Sequence, residues 1–203
     1  MLSIKLLESD KAIIAKINRA LAEKVTKSLR GAAPRLKAAI SPVVARALYT
    51  SPEIQSLQGG VLKADFGLTS DPTGAIVTAV ASSVYVQVFP ATSSASSIKG
   101  GIKVKIQPQN FENLLGLGVG TQPVSGGALP WLEWLLKLGD AVVVAEFGVE
   151  YGPFGRTGMA HMSRKQAPFR INSAFSGTIG NNFVTRAIRS VSSEIKDIIM
   201  RTI

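Results

Sequence analysis

The chain opens on a helical period. Ile13, Ile17, Leu21, Val25 and Leu29 recur every fourth residue, with Ile14 alongside, and Lys11, Lys16, Arg19, Lys24, Lys27 and Arg30 take the opposite face. This spacing predicts an amphipathic helix, capped by Asp10 and running through Arg30. Gly31 and Pro34 are expected to end or kink it, with a second helical piece starting anew at Ser41-Pro42 and reaching Leu48. Ser51-Pro52-Glu53 reads as a further start, Ser as cap and Pro in the first turn, leading through Ile54 and Leu57 to Gly59-Gly60. Val61 to Leu68 predicts another turn of helix, and Asp71-Pro72 opens one more, through Ala81.

The period then changes from helical to alternating. Val84, Val86 and Val88 alternate with Tyr85, Gln87 and Phe89, and Ile102, Val104 and Ile106 alternate with Lys103 and Lys105. Two strands follow, expected to form a hairpin whose long loop is the Ser/Ala-rich run Ala91 to Ser97. Asn110 to Leu117 suits a short helix, and Gly116 to Gly127 reads as an irregular Gly-rich stretch. Pro130 starts an apolar helix, Trp131 to Leu138, closed by Gly139, after which Ala141 to Val149 predicts a strand. Residues 150–178 hold no sustained period and are expected to form an extended arm or loop. Asn181 or Asn182 caps a last helix to Met200, with Phe183, Ala187, Val191, Ile195 and Ile198 on its buried face. The layout is α+β and a single domain, 1–203. An N-terminal helical region (1–50) and a C-terminal helix (181–201) pack on a small antiparallel sheet from 83–149.

Composition adds a surplus of apolar surface. Of the 203 residues 46% are hydrophobic and only 18% charged, below the usual share of about 25%, and mean hydropathy is +0.24. A charge-poor surface of this kind points to a subunit interface. No run approaches 18 uninterrupted apolar residues, so no membrane helix is expected. Met1 to Leu7 is too short an apolar run for a signal-peptide core, so the protein is expected to be made and kept in a cytoplasm. The absence of Cys excludes disulfides and thiolate metal sites. Charge is uneven. Residues 1–48 carry ten Lys/Arg against three acids (+7), 49–150 five against eight (−3), and 151–203 eight against two (+6). Basic ends of this kind suit either solvated helix faces or contact with a polyanion.

Candidate chemistry is sparse. His161 is the single histidine, no Gly-x-Ser-x-Gly turn offers it a nucleophile, and the acids scatter singly. Gly116-Leu117-Gly118-Val119-Gly120 resembles part of a dinucleotide loop but runs into Thr121-Gln122-Pro123, which opposes the required helix. No catalytic residue, cofactor or metal is assigned. The aromatic residues say more. Trp131 and Trp134 stand three apart on one helix face, as either core or interface anchors. Tyr151, Phe154, Phe169 and Phe175 interleave with Arg156, Arg164, Lys165 and Arg170, a mixture suited to a partner surface or to nucleic-acid backbone. The interface candidates are therefore Trp131, Trp134, Tyr151, Phe154, Arg156, Phe169, Arg170 and Phe175. The candidates to face DNA are Lys16, Arg19, Lys24, Lys27, Arg30, Arg186 and Arg189.

Several segments, in order, look like one family. Ser51-Pro52-Glu53…Leu57…Gly60…Leu62…Phe66-Gly67-Leu68 and Leu129-Pro130-Trp131-Leu132-Glu133-Trp134-Leu135-Leu136 resemble neck or tail-completion proteins of tailed bacteriophages. Gly155-Arg156-Thr157-Gly158-Met159-Ala160-His161-Met162, Phe175-Ser176-Gly177-Thr178 and Asn182-Phe183-Val184-Thr185-Arg186-Ala187-Ile188 continue the likeness. Phe169 departs from it, standing where the family pattern has Trp. The resemblance implies a non-enzymatic virion protein of the head-to-tail junction (neck, adaptor or tail terminator), assembled in the host cytoplasm. It further implies a homo-oligomeric ring of six or twelve copies around the DNA channel, with portal, adaptor or tail proteins as partners and non-specific contact with packaged DNA. A small basic nucleic-acid-binding module is the alternative.

Overall fold

The computed structural model describes residues 9–94, 97–124, 127–164 and 168–203. The opening run Met1 to Leu7, the tip of the Ala91–Ser97 loop, part of Gly116–Gly127 and Lys165 lie outside the described residues. The predicted break near Gly31 does not occur, because one helix, α1, runs Asp10–Tyr49 with Pro34 and Pro42 inside it. Each proline removes one backbone N–H, stranding the carbonyl four residues earlier. Those residues, Arg30 and Ala38, are exposed, as are both prolines, so water can take the stranded carbonyls. The opposite face (Leu29, Ala32, Leu36, Ile40, Val44, Leu48) is buried without interruption, and its packing holds the helix together across both prolines. The cap is Ser9 rather than Asp10, its Oγ accepting from the Ala12 amide at 3.4 Å. Asp10 instead supplies a favourable charge in the first turn.

The short elements follow the sequence closely. Helices α2 (Pro52–Gly59), α3 (Val61–Asp65) and α4 (Thr73–Ser82) come next. Strands β1 (Tyr85–Ser93) and β2 (Ile98–Lys105) form the expected antiparallel hairpin, with β1 taking in the first three residues of the predicted Ala91–Ser97 loop. After α5 (Glu112–Leu115), the Gly-rich stretch is more regular than expected, with a 3-10 turn at Gly118–Gly120 and paired strands β3 (Gln122–Val124) and β4 (Gly127–Leu129). Helix α6 (Trp131–Lys137) ends before Gly139, whose φ of 61° is left-handed, the conformation glycine adopts without penalty.

Beyond α6 the structure corrects three expectations. The predicted strand Ala141 to Val149 is two, β5 (Val142–Val144) and β6 (Phe147–Tyr151). Between them Glu146 takes a left-handed φ of 62°, which redirects the chain. Residues 150–178 are not an extended arm. β6 pairs with β7 (Ala160–Arg164), and β8 (Phe169–Arg170) returns to β5. The segment lacks a sustained period because both hairpin partners are short and Gly155, with φ 74°, makes a tight turn between them. A Cβ there would stand 2.0 Å from the Ala160 carbonyl oxygen. The final helix is split at Val191 into α7 (Phe183–Ser190) and α8 (Ser192–Thr202).

One hydrophobic cluster joins these elements, drawing Leu36, Ile40, Val44 and Leu48 from α1, Ile54 and Leu57 from α2, Ile76 and Val80 from α4, Trp131 and Leu135 from α6, and Phe183 from α7. The N-terminal half of α1 reaches past it. There Ile14, Ile17, Leu21 and Val25 are exposed, so the stripe expected to face a core is bare, while Ala22 and Leu29 pack inward. The architecture is α+β, as expected, with four two-stranded antiparallel sheets among the described residues.

A buried ion pair fastens the C-terminal helices to the rest. The Glu53 side chain, 4% exposed, accepts from the Arg186 guanidinium, itself 35% exposed, and Arg186 also reaches the Ser176 and Asn181 carbonyls. Arg186→Ala would leave the Glu53 carboxylate buried without its cation, an expected loss of roughly 3 kcal/mol. In a chain of this size that lowers Tm by about 6–12 °C. Replacing both by Leu is expected to recover most of the loss, and thermal melts of the two variants check it.

Candidate functional site

Two surfaces combine exposed side chains with a concave shape. The first lies along α1, where β1 runs beside the helix. Ala91 donates its amide to Thr26 Oγ1 at 2.9 Å, and Asn18 donates from its side chain to the Ser94 carbonyl at 3.1 Å. Between helix and strand is a groove of about 640 Å³ lined by Arg19, Glu23, Thr26, Lys27, Arg30, Thr92 and Ser93, with Ala22 and Ala91 at its floor. Arg19, Lys27 and Arg30 are exposed and make no ion pair with a carboxylate among the described residues. At 100° per residue, the three lie about half a turn round α1 from the Ile14–Val25 stripe. Lys16 shares their side one turn earlier, and Lys24 flanks the stripe instead.

The second surface is apolar. Phe66, Leu129, Val144, Phe147, Val149, Ala160 and Met162 line a groove of about 540 Å³, with Asp65, Arg156 and His161 supplying its polar atoms. Phe147 is exposed, as are Phe154 and Tyr151, Tyr151 by 59%. Phe154 stands edge-on to the His161 ring, centroids 4.6 Å apart, and His161 Nε2 lies 3.7 Å from Glu150. Ser163, two residues along β7, makes no hydrogen bond with His161, so the two do not form a nucleophile–base pair.

The predicted site residues divide by burial. Trp131 is fully buried, its Nε1 donating to the Val119 carbonyl at 2.9 Å and its ring 5.4 Å from Phe66. Phe169 is buried edge-on to the same Phe66. Both belong to the chain's own core, which removes them from the interface set. α6 turns its first residue inward and the β5–β8 pairing carries Phe169 inward, so that both rings meet Phe66. Trp134 and Phe175 are half-buried against that core. Tyr151 and Phe154 remain exposed. Arg156 and Arg170 are exposed yet engaged, donating to the Pro123 and Asp140 carbonyls at 2.7 Å each. Among the cations expected to face DNA, Arg186 is tied to Glu53, and Arg189 donates to the Gly180 carbonyl at 3.0 Å. Of the α1 set, Arg19, Lys27 and Arg30 gather in a groove. The stripe's availability was missed in the sequence because periodicity marks an apolar face without saying what covers it.

Comparison of the chain with protein-family models, with curated proteins and with solved structures finds no match. Among the described residues no group of His, Cys, Asp and Glu is placed to hold a metal ion, and no helix is long and apolar enough to cross a membrane.

At the rim of the apolar groove Tyr151 Oη donates to Asp65 at 2.5 Å. Burial lifts the Asp65 carboxyl above its usual range, and the Tyr151 bond draws it partly back. Burial and the adjacent Asp65 push the Tyr151 hydroxyl upward as well. A carboxyl raised in the folded state holds its proton more tightly there than in the unfolded chain. Its contribution to stability is therefore fullest in acid and is lost as pH rises through the folded value. Asp65→Asn, which keeps an acceptor for Tyr151 without the charge, is expected to raise Tm at neutral pH and flatten its decline between about pH 4 and 8. Tyr151→Phe should steepen that decline by moving Asp65 further up. Melts across that range check both.

Proposed function

We propose that the chain is a structural subunit of an oligomeric ring, and that the ring belongs to the head-to-tail junction of a tailed bacteriophage. The observation that carries the oligomer is the presence of two separate exposed apolar patches on one chain. One is the Ile14–Val25 stripe of α1, convex and roughly 300 Å² in area, in the range where an exposed patch is often functional. The other is the concave groove around Phe147, built by α3 and the strands from β3 to β7. A two-fold dimer buries the same patch on both copies, whereas a ring buries two different patches against each other at every interface. A convex stripe and a concave apolar groove suit the second arrangement. The stripe alone falls short of the roughly 800 Å² that each partner brings to a standard interface, and the aromatic rim of the groove extends the contact.

The phage placement rests on the ordered segments that resemble neck and tail-completion proteins, from Ser51-Pro52-Glu53 through Asn182-Phe183. On this reading the protein turns over no substrate, and its portal-side or tail-side partners are other virion proteins.

The test uses the full chain in solution, with mass read by light scattering after size exclusion. The unaltered protein is expected to form a closed oligomer. Ile17→Glu with Leu21→Glu removes one patch and Phe147→Glu the other; each variant should be monomeric and still unfold in one cooperative transition, since the altered side chains are exposed. Mixing the two variants leaves one intact interface per pair and should give 1:1 heterodimers. An unaltered chain that stays monomeric at high concentration defeats the proposal, and a mixture that stays monomeric defeats the head-to-tail geometry.

A further inference from the structure

We infer that the groove between α1 and β1 seats the phosphodiester backbone of double-stranded DNA. Arg19, Lys27 and Arg30 line it from one helix, with the single carboxylate of Glu23 among them. The groove shares Thr92 and Ser93 with a smaller cleft at the hairpin, lined also by Ser94, Ser97 and Lys99. The combined track therefore sets four cations against one acid and ends in a row of hydroxyls, the side-chain types that contact phosphate oxygens without reading sequence.

Length and shape favour a duplex. Arg19 and Arg30 are eleven residues apart, about 16 Å along the helix axis. One strand of a duplex presents a phosphate roughly every 3.4 Å of its axis, so the track spans about five of them. A set of cations carried along one helix suits a stiff polyanion. Unpaired bases, by contrast, are gripped by stacking on aromatic rings, and no aromatic residue lines either cleft.

The other basic end of the chain does not offer the same site. Arg186 is paired with Glu53 and Arg189 donates to the Gly180 carbonyl, whereas Arg19, Lys27 and Arg30 line one groove together. It also lies about half a turn from the apolar stripe, so a neighbouring copy on the stripe leaves it open. The inference needs one chain only and stands apart from the ring reading.

The test titrates a duplex of about 20 base pairs with the full chain, by fluorescence anisotropy, at salt rising from about 50 to 200 mM. Arg19→Ala, Lys27→Ala and Arg30→Ala are combined in one variant. A control removes the same charge elsewhere, through Lys105→Ala, Lys196→Ala and Arg201→Ala, all exposed positions. Loss of three phosphate contacts lowers the slope of log K against log salt by about 2.7 in the groove variant, irrespective of sequence. The control slope is expected to stay near that of the unaltered chain. Glu23→Gln is expected to tighten binding at low salt, a gain that misfolding cannot produce. No binding at about 50 mM salt, equal losses in groove variant and control, no gain from Glu23→Gln, or tighter binding of single strands than of the duplex would each overturn the inference.

Discussion

A 40-residue helix cannot be hidden inside a body of this size. At 1.5 Å per residue α1 runs about 60 Å, while a compact chain of 203 residues has a radius of gyration near 17 Å and so measures about 43 Å across. The C-terminal half of α1 therefore provides the spine of the core, from Leu36 to Leu48, and the N-terminal half must lie at the surface whatever its sequence. Everything distinctive about the molecule follows from that constraint. The stripe Ile14, Ile17, Leu21 and Val25 has the period of a buried face, yet among the described residues no element lies on it. The β1–β2 hairpin covers only one flank, through Ala22, Leu29 and the Thr26 and Asn18 hydrogen bonds.

Cations at the two ends serve different physical purposes, although their net charges nearly match. In the C-terminal third the arginines act as clips between loops. Arg156 reaches Pro123, Arg170 reaches Asp140, Arg189 reaches Gly180, and Arg186 holds both Glu53 and two carbonyls. A guanidinium suits this role because its fixed fork can serve several acceptors at once. Along α1, Arg19, Lys27 and Arg30 have no such partners among the described residues and stand in a row. Charge counts along a sequence cannot separate these two cases, since the acceptors that engage an arginine are backbone carbonyls, which every residue carries.

The same distinction decides what was legible beforehand. Caps and turns downstream of α1 were readable because their chemistry is local. Ser51 accepts from the Ile54 amide, Asp71 from Thr73, and Asn182 with Thr185 forms a reciprocal cap. The hairpin 85–105 was readable from strict alternation. The continuity of α1 was not, since Pro34 and Pro42 are tolerated only because the face away from them is packed against elements far along the chain. Trp131 was legible as either core or anchor and Phe169 as an anchor; what places both in the core is Phe66, 65 and 103 residues earlier in sequence, which each ring meets. Of the candidate site, the cationic set on α1 was legible as residues. The groove was not, because its second wall is β1 and the register of helix against strand is a tertiary fact.

The exposed half of α1 has a further energetic consequence. A helix of about twenty residues is marginal by itself in water, and here like charges at Lys16, Arg19, Lys24, Lys27 and Arg30 repel one another along its length. The neighbouring hairpin offsets part of this. A polyanion in the groove would neutralise the row, and an apolar partner on the stripe would withdraw the opposite side from water. Each ligand would stabilise the same stretch of helix by mass action. Because the two faces share one marginal stretch of helix, whichever binds first lowers the ordering cost for the other, and the coupling is reciprocal by thermodynamic necessity. Assembly and polyanion binding on this chain are thus expected to favour one another even though they touch no common side chain.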